Sequence, residues 1–385
     1  MTTQQVLLRE AMQELNMTRD AFAERLSIKR RALDAWLLPD TSKEFRVMPD
    51  VVHKFIGEIM RIEGQGKKNT HSVHKTGLAD RIAYNGKPQL ISVEQFSRES
   101  VEEMLLLAEM MEPIARRQKV TRVLEGAVLG NLFFEASTRT RVSFGAAFCR
   151  LGGSVCDTTG FTFSSMAKGE SIYDTSRVMS GYVDALVVRH PDKGSVAEFA
   201  EATNIPVING GDGPGEHPSQ ALLDLYTIRK EFSRLGKEID GAHIALVGDL
   251  KYGRTVHSLR DGLQDVDVLY ATRIQKERFA GEEIEGYSAD LQVDRAMLDS
   301  ACGPDTFVMH PLPRDSRPGA NDLSTDLNHD PRLAIFRQTD NGIPVRMAIF
   351  AVLLGVEHLI PNSLRDATWK TMTQIGPFDA EFHRL

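Results

Sequence analysis

Cysteine is scarce in this sequence, and long apolar runs are missing. Its 385 residues include three cysteines, Cys149, Cys156 and Cys302, which form no C-x-x-C pair and no even set. This argues against a disulfide-stapled secreted domain and makes a reducing cytoplasm the simplest compartment. No apolar stretch approaches the roughly 20 residues that a membrane-spanning helix needs, so no membrane association is expected. The first residues, MTTQQVLLREAMQ, carry charges where a signal peptide would need an apolar run.

Several short motifs with known chemistry are also missing. The sequence contains no H-E-x-x-H, no P-loop and no G-x-G-x-x-G, so nothing points to the metal or nucleotide sites that these motifs build. His71 and His74 lie in a polar, glycine-bearing stretch without a further ligand nearby, which favours a solvated linker over a metal site. We therefore expect no metal and no cofactor. The net charge of −7 argues against whole-chain attraction to nucleic acid, although a local basic patch stays open.

The most informative run that is present is FEASTRTR, at residues 134–141. An apolar strand ends here, a hydroxyl-rich turn follows, and helical spacing of apolar residues continues after Thr140. Free backbone N–H groups at such a helix start favour a phosphate or carboxylate. Arg139 would add a planar fork of donors that matches two phosphate oxygens. Taken alone, the run also fits a well-capped surface helix with solvated arginines.

Three more polar turns follow apolar strands further along the chain. They are RHP at 189–191, GDG at 211–213 leading into HPSQ at 217–220, and HPLPR at 310–314. The carboxyl ends of parallel strands are where α/β sheets bind ligands. We therefore expect these turns to meet at one edge of a sheet.

These turns belong to a set of ordered motifs that resembles the catalytic chain of aspartate carbamoyltransferases. The set spans roughly residues 89–359 and comprises FEASTRTRVSF, VVRHP, GDGPGEHPSQALLDLYT, VGDLKYGRTVHSL, YATRIQKER and MHPLPR. Ornithine carbamoyltransferases resemble the chain at STRTR but have a cysteine at the position of Pro311, and they lack the KYGRTVHSL and TRIQKER segments. The resemblance implies transfer of the carbamoyl group of carbamoyl phosphate to L-aspartate, a step of de novo pyrimidine biosynthesis. It also implies a homotrimer with shared active sites, on which a higher assembly can be built.

By this resemblance, nine residues would bind carbamoyl phosphate: Ser137, Thr138, Arg139, Thr140, Ser164, Lys168, Arg189, His217 and Gln220. Four of them would be catalytic. Arg139 would stabilise charge on the leaving phosphate, while Arg189, His217 and Thr140 would polarise the carbonyl oxygen. Gln220 would orient the carbamoyl amide. His217 alone would also suit a structural helix-start position, but its motif favours function.

Aspartate has two carboxylates, so its pocket needs two separate cationic forks. By resemblance, Arg254 and Arg273 supply these forks, with Gln275 beside the second. Leu312 and Pro313 would contribute backbone carbonyls. Without the motif, the charges around Arg273 would suit an ordinary solvated surface.

Residues 164–170, SSMAKGE, resemble the loop that in this family enters the active site of the neighbouring subunit with a serine and a lysine. The family often has two lysines here, whereas this chain has Ala167 before Lys168, and the loop is about one residue shorter. Lys168 keeps the phosphate role, and Ser164 is preferred to Ser165 as the serine.

The predicted fold class is α/β, with two doubly wound parallel-sheet domains of the aspartate/ornithine carbamoyltransferase type after a small all-helical N-terminal domain. Strands near 129–134, 183–188 and 205–209 alternate with helices, which implies a parallel sheet covered on both faces. The predicted segments are a helical domain at 1–63, a linker at 64–75, a carbamoyl phosphate domain at 76–225, an aspartate domain at 226–340, a C-terminal helix at 341–360 that packs back on the first α/β domain, and a tail at 361–385.

The N-terminal sequence TRDAFAERLSIKRRALDAWLLPD reads as two short helices joined by a tight turn. It resembles the helix-turn-helix of Cro/repressor-type DNA-binding domains. In that family the start of the second helix faces the bases, which here would be Lys29, Arg30 and Arg31. DNA binding through residues 18–38 therefore competes with a helical module used for assembly or regulation.

The chain departs from the family between Leu259 and Asp265. Only RDGLQ separates KYGRTVHSL from the strand DVDVLYATR, where the family has a strand-helix-strand stretch of roughly 30 residues or more. A segment missing near 260–265 would shift Arg254 relative to Arg273. The sequence leaves open whether this is a true deletion or an omission from the record. It also leaves two alternatives: an inactive or regulatory homologue that binds DNA, and a transferase for another amine, which the two-arginine pocket disfavours.

Overall fold

The computed structural model of the chain describes residues 3–14, 17–26, 28–39, 41–49, 52, 56, 77–159, 168–248, 265–273, 292–315 and 322–369. By its internal contacts the chain divides into two compact units, Met1–Thr76 and Gly77–Leu385. Within the described residues of the first unit, three helices have defined bounds. These are α1 (Thr3–Glu14), α2 (Arg19–Arg25) and α3 (Arg30–Leu37).

The helices of the first unit enclose an apolar core. Leu8, Phe22 and Leu33, one from each helix, are fully buried in it. Thr18 caps α2, because its hydroxyl accepts a hydrogen bond from the Ala21 N–H at 3.3 Å. The two short helices predicted for residues 18–38 are therefore present.

A four-stranded parallel sheet organises the first part of the second unit. Its strand order is β3-β2-β4-β5, so the chain crosses over between β2 and its two neighbours. The strands are β2 (Val128–Phe133), β3 (Ser154–Thr159), β4 (Ala185–His190) and β5 (Val207–Asp212). Phe133 pairs with Arg189, which aligns the carboxyl ends of β2 and β4. The strands predicted near 129–134, 183–188 and 205–209 are confirmed within about two residues.

Both faces of this sheet are covered by helices, which agrees with the nearly continuous burial along β2, β4 and β5. Leu129, Val187 and Ile208 point into one apolar cluster, and Leu132, Leu186 and Val207 point into another. The longer helices of this part are α5 (Arg98–Ala115), α6 (Thr138–Arg150), α7 (Ile172–Met179), α8 (Ser195–Glu201) and α9 (Pro218–Arg234), and α4 (Leu78–Arg81) is a single turn.

A second parallel sheet follows, with the order β6-β7-β8. Its strands are β6 (Ile244–Val247), β7 (Val268–Ala271) and β8 (Phe307–Met309), and α10 (Arg295–Ala301) packs on one face. The two strands β7 and β8 are almost entirely buried, whereas Ile244 and Leu246 of β6 are 46% and 53% exposed. The two-domain α/β fold with parallel sheets is thus as predicted.

The C-terminal helix α11 (Ile335–Leu353) begins six residues before the predicted start at 341 and includes Pro344 in its interior. The preceding polar residues hid this from the sequence, but two of them have buried partners. Gln338 donates to Asp224 at 2.7 Å, and Asn341 donates to Thr227 at 3.1 Å. Burial of the helix against α5, α6 and α9 outweighs the roughly 3 kcal/mol that an interior proline costs.

The helix ends seven residues before the predicted end at 360, because Gly355 adopts a φ of 67° just after it. A single turn, α12 (Ile360–Ser363), and a two-stranded antiparallel ribbon of β1 (Lys119–Val120) and β9 (Arg365–Asp366) complete the described elements. Short 3₁₀ turns lie at Val93–Gln95, Thr325–His329 and Glu357–Leu359. Within the described ranges no single helix has the length and apolarity to cross a membrane; Ile335–Leu353 and Glu357–Ser363, bent by 112°, meet that test only as a pair.

Candidate active site

The turn after β2 exposes backbone donors at the carboxyl edge of the first sheet. Ser137 is the N-cap residue of α6, yet its side chain makes no capping hydrogen bond. Thr138 and Arg139 are exposed, and Ser137 and Thr140 are half-buried. The free N–H groups of the first helical turn, the helix dipole and the hydroxyls together suit a phosphate group.

Arg189 lies at the end of β4, where its side chain turns toward this helix start. Its Nη2 lies 2.6 Å from Glu135 Oε2, and its Nη1 donates to the carbonyl oxygen of Gly210 at 3.2 Å. Gly211 makes room for it: a Cβ built there would stand 2.4 Å from Nη1, and the φ of 129° at this residue disfavours side chains. The guanidinium is thus held at the edge by backbone, carboxylate and a required glycine.

His217 is the N-cap residue of α9, in the turn that follows β5. Its Nδ1 lies 3.4 Å from the Ser219 hydroxyl, and its Nε2 is buried with no hydrogen-bond partner among the described residues. Burial, followed by the charges of Arg346 and Arg189, lowers the pKa of His217 to about 3. The imidazole is therefore neutral near pH 7. If the Ser219 hydroxyl donates to Nδ1, the imidazole proton is on Nε2. This N–H can then donate a hydrogen bond to a carbonyl oxygen.

Gln220 lies about one turn after His217, and its side chain is hydrogen-bonded to another residue of the same helix. Its Nε2 donates to Asp224 Oδ1 at 2.9 Å. Burial raises the pKa of Asp224 to about 6, although Gln338, Tyr270 and Gln220 all donate to this carboxylate. Gln338 lies on α11 and Tyr270 on β7, so Asp224 joins three elements beneath the edge.

Arg139, at the start of α6, is close enough to Arg273 to be affected by its charge. Arg273 follows β7 of the second sheet, and desolvation and then the charge of Arg273 lower the pKa of Arg139. The sequence assigned the first arginine to carbamoyl phosphate and the second to aspartate, and this electrostatic effect connects the two.

The segment after β8 is fixed by a buried histidine. His310 Nε2 lies 3.0 Å from Asp322 Oδ2 with both side chains 1% exposed, and His310 Nδ1 accepts a hydrogen bond from the Leu312 N–H at 2.8 Å. Leu312 has a φ of 55°, a conformation that costs roughly 1–3 kcal/mol for a residue with a side chain. Pro313 follows through a cis peptide bond and is exposed.

Arg346 was not expected from the sequence as a site residue. Its side chain is 4% exposed, and its Cζ lies 4.7 Å from the centre of the Phe144 ring. Its Nε has no hydrogen-bond partner among the residues that the structure describes. Burial lowers its pKa to about 10, opposed by the charge of Asp224. The signal was an arginine inside the apolar run PVRMAIFAVLLG, where a buried charge is rare without a reason.

Asp224 was also missed. The signal for it was helical spacing, since residues 217, 220 and 224 recur at steps of three and four and thus share one face of α9. A carboxylate on the face that carries two predicted site residues is a candidate for holding them in place.

For four predicted residues the structure shows no place in this cluster, and three of them are outside the described ranges. Lys168 is exposed, and the described part of the structure shows no contact between it and the other predicted residues. Ser164, Arg254 and Gln275 lie outside the described residues. In the ranges that are described, no group of three or more His, Cys, Asp or Glu side chains is placed to hold a metal ion.

The arrangement suits transfer between two anionic reactants. Positive guanidinium groups, free helix N–H groups and a neutral histidine converge at the carboxyl ends of β2, β4, β5 and β7. Such a set can hold a phosphate, polarise a carbonyl group and stabilise negative charge that develops on an oxygen. Ser219 is hydrogen-bonded to His217, but its side chain is fully buried, and the lowered pKa of His217 makes the imidazole a weak base. Direct attack by a bound amine therefore fits the site better than a serine nucleophile does.

Family models match both α/β parts of the chain. Residues 89–230 match the carbamoyl-P binding domain of aspartate/ornithine carbamoyltransferase, and residues 256–353 match its Asp/Orn binding domain. Among solved structures, aspartate transcarbamoylase from Trypanosoma cruzi in complex with N-(phosphonacetyl)-L-aspartic acid aligns with a TM-score of 0.59 at 37% identity, covering 69% of this chain and 94% of that one. The same enzyme with carbamoyl aspartate and phosphate gives 0.60, at 37% identity over 69% and 95% of the two chains.

Curated relatives agree with these matches. The aspartate carbamoyltransferase catalytic subunit of Dichelobacter nodosus is 51% identical over 340 residues, covering 77% of this chain and 98% of the relative. That of Saccharophagus degradans is 52% identical over 324 residues, covering 73% and 96%. The chain therefore belongs to the aspartate carbamoyltransferase catalytic subunits, within the aspartate/ornithine carbamoyltransferase family.

Proposed function

We propose that the chain catalyses carbamoyl transfer from carbamoyl phosphate to L-aspartate, yielding N-carbamoyl-L-aspartate and phosphate for pyrimidine biosynthesis. The observation that carries this is the meeting of the α6 start, Arg189 and His217 at the carboxyl edge of the first sheet. A phosphate at the α6 start and a carbonyl oxygen beside His217 Nε2 would accept hydrogen bonds from these groups. Family membership at about half identity supports the same reaction.

In the proposed reaction, the α-amine of aspartate attacks the carbonyl carbon of carbamoyl phosphate. Ser137, Thr138 and Thr140 hold the phosphate at the start of α6, with Arg139 as its cationic fork. Neutral His217 donates from Nε2 to the carbonyl oxygen, and Arg189 and Thr140 stabilise the charge that builds there. The tetrahedral intermediate then collapses and expels phosphate.

The second substrate would be bound by the second sheet. Arg273 takes one carboxylate, and Arg254 and Gln275 complete the pocket. Leu312 and Pro313 offer carbonyl oxygens to the amine, which the strained φ of Leu312 supports, since strain in a loop persists where the surroundings hold it.

Amine selectivity tests this assignment. Aspartate should be carbamoylated with a kcat/KM at least about 1,000-fold above that of ornithine, because the ammonium side chain of ornithine would face Arg273 without a partner. Formation of the two ureido products from carbamoyl phosphate can be followed side by side at equal amine concentration. Faster turnover with ornithine would overturn the assignment and leave a transferase for another amine.

We also propose a homotrimer whose active sites combine residues of two subunits. Lys168 supports this, because in the single chain it is exposed and apart from the cluster, as expected of a residue that serves a neighbouring site. The free thiols of Cys149, Cys156 and Cys302 support a reducing, cytoplasmic setting.

For the N-terminal unit, DNA binding through residues 18–38 stays a proposal. Lys29 and Arg31 are exposed at the start of α3, which supports it. Arg30 instead forms two salt bridges: its Nη1 lies 2.5 Å from Asp20 Oδ1, and its Nε lies 3.0 Å from Asp34 Oδ2. Part of its positive charge is therefore already balanced. DNA should be retarded in a gel at low salt and released as salt rises, and the variant Lys29→Glu/Arg31→Glu should lose the shift. No shift at low salt would remove the proposal and leave an assembly or regulatory module.

Finally, we infer that the second α/β domain lacks a segment between Leu259 and Asp265. Since 77% of 385 residues is about 296, about 44 of the 340 positions aligned with the Dichelobacter nodosus relative have no counterpart here. The same arithmetic for Saccharophagus degradans, 73% of 385 against 324 positions, gives about 43. The exposed Ile244 and Leu246 on β6 support a loss beside that strand, because parallel strands are normally covered on both faces.

A further inference from the structure

Asp224 receives three hydrogen bonds from three different elements. Its Oδ1 accepts from Gln220 Nε2 at 2.9 Å and from Gln338 Nε2 at 2.7 Å, and its Oδ2 accepts from the Tyr270 hydroxyl at 2.7 Å. Among the described groups that are assigned to substrate, the carboxylate is hydrogen-bonded to Gln220 alone. Any effect of Asp224 on the substrate therefore acts through the Gln220 side-chain amide.

The orientation of the two amides can be worked out from this network. The His310 backbone N–H, which can only donate, lies 2.9 Å from Gln338 Oε1. The oxygen of Gln338 must therefore face His310, and its NH₂ group must face Asp224. Oδ1 of Asp224 is thus an acceptor, and the atom of Gln220 that faces the same oxygen must also be the NH₂ group.

Because Asp224 holds the NH₂ group of the Gln220 amide, only the amide oxygen Oε1 is left to face a ligand. Within the described part of the chain this oxygen accepts no hydrogen bond from the protein. Gln220 is the third residue of the helix that His217 caps, and it lies three residues from His217 on the same face. A ligand carbonyl that accepts from His217 would place its neighbouring substituent toward this oxygen.

We propose that Asp224 is a specificity-determining positioning residue: it fixes the Gln220 amide so that Oε1 faces the acyl substituent, and thereby selects an N–H-bearing carbamoyl phosphate over a methyl-bearing acyl phosphate. The inference rests on the proposed function, since it assigns Gln220 to the carbamoyl end of the substrate. A carbamoyl NH₂ group donates to Oε1, whereas the methyl group of acetyl phosphate leaves that oxygen unpaired. If the amide were free to rotate, its own NH₂ group could turn toward the ligand and the discrimination would fall.

The test compares kcat/KM for carbamoyl phosphate and acetyl phosphate, with aspartate as acceptor, in the full chain and two variants. Asp224→Leu removes the acceptor and should lower the carbamoyl/acetyl selectivity about 10- to 100-fold. Asp224→Asn is the matched control and should retain most of the selectivity. Gln338 still requires an oxygen at the Oδ1 position, which orients the asparagine and so still holds Gln220.

The results distinguish a failure of this inference from a failure of the proposed function. Unchanged selectivity in Asp224→Leu, or equal losses in Asp224→Leu and Asp224→Asn, would overturn the inference, and so would a uniform loss with both acyl phosphates. An unmodified chain that forms no carbamoyl-aspartate would instead count against the proposed function. If Asp224→Leu does not fold, neutron diffraction of the unmodified chain decides: two deuterons on the Gln220 atom that faces Asp224 Oδ1 are expected, and an oxygen there would overturn the inference.

Discussion

Replacing Arg139 by alanine should lower kcat/KM for carbamoyl-aspartate formation by about 1,000-fold, because a preorganised cation at the leaving group is lost. The side chain stands at the start of α6, where desolvation and the neighbouring Arg273 already lower its pKa. Its charge is therefore poorly compensated until an anion binds. Steady-state kinetics with both substrates varied would measure the loss.

Arg122→Ala is the control for this substitution. Arg122 lies in the same α/β domain, 2.6 Å from Glu125, with both side chains 64% exposed. Removing such a surface pair changes stability by well under about 1 kcal/mol, so activity should be retained. A loss of less than about tenfold in Arg139→Ala would contradict its placement at the transition state.

The same variant also examines the sharing of sites between subunits. Arg139→Ala and Lys168→Ala should each be inactive as pure oligomers. In an equal mixture reassembled from both, about one site in four would combine an intact Arg139 of one subunit with an intact Lys168 of its neighbour. Activity that does not rise on mixing would mean that each chain completes its own site.

Inserting the segment that the Dichelobacter nodosus relative carries, after Leu259, should raise kcat/KM for aspartate by about 100-fold. A misplacement of about 1 Å between catalytic groups costs about that factor, and the short connection lies between Arg254 and Arg273. The expected gain is confined to aspartate. Carbamoyl phosphate affinity should stay the same, because the residues assigned to it lie on the first sheet and its turns.

A flexible glycine-serine insert of equal length is the control. It adds chain without adding a strand or a helix to cover β6, so it should give no gain for aspartate. Thermal unfolding supplies a second readout, because the relative's segment would bury the exposed Ile244 and Leu246 and raise the melting temperature. Equal aspartate kinetics with and without the relative's segment would show that the short domain already positions its two arginines.

Much of the first domain could be predicted from local signals. The apolar strands before residues 134, 189 and 210 each end in a polar turn, and parallel pairing places those ends together. That is why Ser137, Arg189 and His217 lie at one edge, as expected from the sequence. The start of α9 at Pro218 follows equally from the preference of proline for the first helical turn.

The sequence alone could not identify contacts between residues that are far apart along the chain. In the sequence, Gln338 is one of several polar residues before the predicted start of the C-terminal helix. Its hydrogen bonds to Asp224 and His310 explain how this polar segment can be helical and buried. Arg346 looked like an interruption of an apolar run, and its place beside Phe144 depends on the packing of α11 on α6. Both depend on tertiary contacts that no periodicity encodes.

The central claim is carbamoyl transfer to aspartate, and the most direct measurement is product formation by the purified full chain. Carbon-13-labelled carbamoyl phosphate and saturating aspartate would be incubated with the protein, and the ureido carbon of the product followed by NMR. We expect labelled N-carbamoyl-aspartate, formed in equal amount with phosphate and absent with Arg139→Ala. Release of phosphate without that product, from a chain shown to be folded, would contradict it.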